Sequence, residues 1–145
     1  MDRSEIMESI RDGFNCSQIV LGAFAEQLGY SQEEVFRMAC PFGGGMCRGD
    51  TCGAVTGALI ALGMAYGNDQ PGNTEQVKIC QEKIVQFQEE FIRLYGSTIC
   101  RELLNYDFRN PEEKIQAKES GTIIRLCPNL IQKAIEITEG LLEAN

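Results

Sequence analysis

Apolar side chains recur at intervals of three and four residues along most of the chain, and glycine, proline or a short polar residue interrupts each run. Such spacing predicts helices. Residues 2–11 carry Ile6, Met7 and Ile10 on one side, and Gly13 stops the run. Asn15 can cap a second helix over residues 16–28, in which Ile19, Val20, Ala23 and Phe24 share a face and Gly29 follows the end. Ser31 with Glu34 reads as a capping box for a third helix holding Val35, Phe36 and Met38, which Pro41 closes.

The stretch from Pro41 to Gly67, PFGGGMCRGDTCGAVTGALIALGMAYG, organises the rest. A glycine-rich loop delivers Cys47 and Cys52 to an apolar helix at about residues 51–66, capped by Asp50 or Thr51. In that helix Gly53, Gly57 and Ala61 form a ridge that lets another backbone approach. The turn-rich string GNDQPGN reverses the chain. The longest helix follows at residues 74–95, with Val77, Ile84, Phe87, Phe91 and Leu94 on its inner side and Gly96 behind it. Ser97 or Thr98 starts a short helix with Cys100, Leu103 and Leu104, and the polar run through Arg109 reads as loop. Asn110 and Pro111 begin a charged helix to Ser120. Cys127 and Pro128 begin the last one, with Leu130, Ile131, Ala134, Ile135 and Leu141 inward. Residues 122–126 are the one strand candidate. The pattern predicts an all-α, compact multi-helix bundle around the central small-residue helix, as a single domain over residues 1–145 without repeats.

Composition narrows the function. Apolar residues make up 43% and charged residues 23% of the 145, ordinary globular usage. A net charge of −8, with Lys and Arg scattered, argues against nucleic acid and anionic lipid as partners. The acidic first residues are unlike a secretory signal, and no segment is long and apolar enough for membrane insertion, so a cytoplasmic protein is expected. The GxxxG spacing of Gly49, Gly53 and Gly57 then serves helix packing. Seven cysteines in a reducing compartment point to metal or redox work, and the absence of His removes the Cys–His nucleophile pair and mixed Cys/His zinc sites.

The predicted helices sort the cysteines. Cys16, Cys52, Cys100 and Cys127 each fall in a first turn, where free amides and the helix dipole favour thiolate over thiol. Cys40 and Cys80 fall elsewhere and read as packing residues. Cys47 stays open, because its loop also holds Arg48, which favours its thiolate and leaves it as a further ligand. The Gly43–Gly45 run lacks a P-loop lysine and serves tight turning.

These same residues carry a resemblance. Cys16 in FNCSQIVL, the string CGAVTG, Cys100 in GSTICREL and Cys127 together resemble the C_GCAxxG_C_C family. Its members are small proteins described as redox-active on the strength of their cysteines, and the family is marked by four cysteines and a CGAxxG core. The resemblance implies a redox role for those four cysteines and names no reaction or substrate.

The leading expectation is a thiol oxidoreductase in which Cys52 and at least one of Cys16, Cys100 and Cys127 cycle between dithiol and disulfide, or pass electrons, with a redox partner or small molecule. The alternative is a binding module whose four cysteines hold an iron–sulfur cluster or a Cys₄ zinc, although no CxxC occurs. The bland reading is a helical interaction protein whose cysteines pack. A homodimer is expected from the surplus of apolar helix surface.

Overall fold

A computed structural model describes residues 1–143 and contains nine helices and no strand among them. Helix α1 (Arg3–Arg11) opens with Asp2 and Glu5 capping each other's backbone N–H groups. Asn15 and Gln18 do the same for α2 (Cys16–Gly22). The single helix expected over residues 16–28 is two: the chain tightens at Ala23 and Phe24, where the Phe24 amide reaches only to the Leu21 carbonyl, and restarts as α3 (Ala25–Leu28). Gly22 sits at that break, with Gln32 bonding its carbonyl and the Phe36 ring filling the space that a side chain would need.

Helix α4 (Gln32–Ala39) leads into a 3₁₀ turn over Cys40–Phe42 and then the glycine loop. The central helix α5 (Gly53–Tyr66) presents Gly53, Ala54, Gly57, Ala58 and Ala61 as a buried surface. A Cβ at Gly57 would lie 2.7 Å from the Ser17 carbonyl oxygen and 3.2 Å from the Val20 Cβ. Glycine there is what allows α2 and α5 to pack backbone against backbone. Helix α6 (Thr74–Tyr95) contributes Phe87 and Phe91 to the core. Leu94, expected inward, is exposed.

Helices α7 (Cys100–Leu104) and α8 (Pro111–Glu119) are short, and Asn110 and Pro111 cap and start α8 as expected. The last helix, α9 (Thr122–Glu143), begins five residues before the expected start at Cys127, so residues 122–126 are helical and the strand candidate is overturned. Gly121, at φ +79°, turns the chain directly from α8 into α9, and Pro128 is carried inside the helix, buried. An internal proline forgoes one backbone bond and crowds the preceding turn, a cost that burial against the core offsets.

Two apolar clusters result. The large one joins α1, α2, α4, α5, α6 and α9 around Val20, Leu62, Phe87, Phe91 and Ile131. A satellite cluster of Cys100, Leu104, Phe108 and Ala117, flanked by Ile123 and Cys127, is built from α7, α8 and the start of α9.

Candidate functional site

Between the two clusters the chain leaves a cavity of about 180 Å³. Cys16, Cys52, Cys100 and Cys127 all line it, with Ile10, Phe14, Leu103, Phe108 and Leu130 among the apolar walls. The four sulfurs are neighbours in the electrostatic sense: Cys52 feels the charges of Cys16, Cys100 and Cys127, Cys127 those of Cys16 and Cys100, and Cys100 that of Cys16. No disulfide joins the seven cysteines. Cys40 and Cys47 are exposed and Cys80 is half-buried, and none of these three lines the cavity. Cys40 is therefore not the packing residue that its helix-end position suggested.

Each sulfur arrives on its own element. Cys16 is the first residue of α2, and Gly53 makes room for it: a Cβ at Gly53 would overlap the Cys16 Sγ. Cys52 is the N-cap of α5, one residue ahead of the first turn expected for it. Cys100 opens α7. Cys52 and Cys100 are tied through the backbone, because Thr51 and Ile99 form an antiparallel bridge. The Cys52 amide donates to the Thr98 carbonyl at 2.7 Å and the Cys100 amide to the Asp50 carbonyl at 2.6 Å. Arg101 clamps the same junction, donating to the Asp50 carboxylate at 2.6 Å and the Gly49 carbonyl at 3.2 Å. Cys127 is the exception. It stands in the second turn of α9, so the expected helix-start placement fails for it. The sequence misled because Pro128 is a common first-turn residue, whereas here it lies mid-helix.

The glycine loop does more than turn. Gly44, Gly45, Met46 and Cys47 have φ between +58° and +63°, a left-handed turn of four successive residues. Two glycines adopt it freely, while Met46 and Cys47 each cost about 1–2 kcal/mol. The turn brings the Gly44 amide to the Cys16 sulfur, where the amides of Ser17 and Gly53 also converge.

Helix starts do not make these thiols acidic. Burial pushes the Cys16 thiol up, and the amides of Gly44, Ser17 and Gly53 only partly offset it. Burial and then the Cys16 charge hold Cys52 well above its ordinary value, against one amide, that of Ala54. Burial, with Cys16 behind it, pushes Cys100 up to about 12, and Cys127 is raised for the same reasons. Removing the water around a sulfur outweighs a partial positive charge at a helix end. The cavity at neutral pH is an apolar chamber holding four protonated thiols.

Among the described residues no three His, Cys, Asp or Glu side chains stand close enough to hold one metal ion. None of these helices is long and apolar enough to cross a membrane. Sequence reasoning missed Phe108, which fell within a run read as polar loop; its ring, the only one between Tyr106 and Asn145, was the available signal. Ile10, Phe14 and Leu103 were legible as apolar positions but not as cavity walls.

The family model described as "Putative redox-active protein (C_GCAxxG_C_C)" matches residues 14–141. Cys16, Cys52, Cys100 and Cys127 all fall within the matched residues. No curated protein and no solved structure matches the chain.

Proposed function

Because the chain belongs to the C_GCAxxG_C_C family, we propose that it is a thiol oxidoreductase whose dithiol is Cys16 and Cys52. The observation that carries this reading is the arrival of four cysteines from separate elements in one cavity. Cys16 takes the first step, because the amides of Gly44, Ser17 and Gly53 face its sulfur and favour the charge that it must develop. Its thiolate attacks a disulfide of the partner, forming a mixed disulfide and releasing one partner thiolate, which takes up the proton that Cys16 gave. Cys52 then loses its proton and attacks the Cys16 sulfur. The Cys16–Cys52 disulfide forms, the second partner thiol leaves, and two electrons have passed to the partner. Cys100 and Cys127 complete the thiol lining of the same cavity. A reducing cytoplasm, which keeps such thiols open between cycles, suits this chemistry.

Incubation of the reduced protein with glutathione disulfide, followed by peptide mapping, is expected to give an intramolecular Cys16–Cys52 disulfide, formed faster as pH rises. Glutathione attached only to the exposed Cys40 and Cys47 would overturn the proposal.

The same convergence favours a second reading, in which Cys16, Cys52, Cys100 and Cys127 hold an iron–sulfur cluster. Four thiols around one cavity fit that donor set, and the cluster would supply one-electron transfer. A Cys₄ zinc requires the sulfurs to draw closer than they stand. Colourless protein after anaerobic purification, with no iron or zinc by elemental analysis, would exclude both.

A further inference from the structure

The walls of this cavity set what it can take. Among the described residues no Asp, Glu, Lys or Arg lines it, and the Asn15 amide side chain is engaged: it accepts from the Gln18 amide and donates to the Cys40 carbonyl, both at 3.0 Å. The thiols are the other polar side chains that face it. A charged ligand would enter without a counter-charge, which is costly in apolar surroundings. Four thiolates on a divalent metal would leave two net negative charges there and release four protons. A cavity of roughly 150 Å³ lined by Leu, Ile and Phe stays dry and accommodates benzene. This one, at about 180 Å³, has the same wall chemistry with sulfurs added.

We propose that the cavity binds small uncharged molecules in which an apolar body, of the size of one aromatic ring, carries a soft electrophile such as a trivalent metalloid, and that two of Cys16, Cys52, Cys100 and Cys127 capture it. The inference shares the convergence of thiols with the redox reading but needs no electron transfer. With an aryl arsonous acid the step is a neutral exchange. Two arsenic–oxygen bonds break and two arsenic–sulfur bonds form. Each thiol proton leaves with a hydroxide as water, and arsenic stays trivalent. No base, oxidant or buried charge is needed, so protonated thiols are the right form for this reaction. Capture by two sulfurs is also compatible with the absence, among the described residues, of any three donors placed for one ion.

The test uses the full chain, reduced, with Cys40, Cys47 and Cys80 replaced by Ser, so that only the cavity cysteines remain. Native mass spectrometry with phenylarsonous acid is expected to show one adduct per chain, with two of the four thiols protected from iodoacetamide. The 4-carboxyphenyl analogue, which must bury a carboxylate, is expected to bind at least about tenfold more weakly. No adduct, or equal affinity for the two probes, would overturn the inference. The same variant treated with glutathione disulfide reports the redox reading separately. A Cys16–Cys52 disulfide without arsenical binding sinks this inference alone, and an adduct without a disulfide sinks the redox proposal alone.

Discussion

The large core and the satellite cluster are built from the same kinds of side chain but stand in different relation to empty space. Around Phe87 and Phe91, whose ring centroids are 5.9 Å apart, helices close on each other, and both rings are fully buried. Around Leu104 and Phe108 the helices are short, and one side of the cluster faces the cavity. The difference shows where stability and chemistry reside. Long helices with small-residue ridges supply the rigid body, and short capped segments hold sulfur around a space that the rigid body does not fill.

Truncation should separate the two most sharply. Phe91→Ala is expected to lose about 3–5 kcal/mol, whereas Leu104→Ala should lie near the lower limit of about 2 kcal/mol for a buried leucine, because its side chain already borders a void. Urea unfolding of both variants checks this, and equal losses would erase the contrast. Glycines divide in the same way. Gly57→Ala drives a methyl into the Ser17 backbone and should destabilise by about 1–3 kcal/mol. Gly63→Ala, with nothing within 4 Å, should stabilise α5 by about 0.5–1 kcal/mol. Opposite shifts in thermal midpoint are the expected result.

The third prediction concerns pH and sharpens the cavity side. The four thiols titrate above their ordinary value of 9.0 in the folded chain, so above that pH the unfolded chain binds fewer protons than the native one. Stability is therefore full below about pH 9 and falls as pH rises, by up to about 1.4 kcal/mol per pH unit for each thiol involved. Cys100→Ala should flatten the decline between pH 9 and about 12, and Phe91→Ala should leave its slope unchanged. Parallel curves for Cys100→Ala and the parent would refute this assignment.

The smallest effect is expected at the seam. Asp50→Asn weakens the Arg101 clamp, a partly exposed ion pair worth about 0.2–1 kcal/mol. Its signature should be faster alkylation of Cys100 at constant pH, with little change in global unfolding.

Much of this was legible beforehand where local chemistry decides structure. Asn15, Ser31, and Asn110 with Pro111 mark helix starts that the chain obeys, because a capping side chain needs only its own next turn. The selection of Cys16, Cys52, Cys100 and Cys127 also agrees with the cavity, although Cys127 arrives there from mid-helix. Reading Pro128 as a start failed because tertiary burial outweighs the local cost of a proline within α9. Thiol acidity failed for a related reason: a helix start is visible in sequence, but the dryness around a sulfur is set by Phe14 together with Leu103 and Phe108, which lie far from it along the chain. Phe24, where one expected helix became two, shows the same limit, since packing of α4 against Gly22 decides the break.

The bridge between Thr51 and Ile99 has a kinetic corollary. The amide bonds of Cys52 and Cys100 flank one ladder step, so separation of the two segments there breaks both together. Deuterium should enter both positions at a common rate. Whatever opening admits solvent to one sulfur would then admit it to the other, making the two a single gate in time as well as neighbours in space.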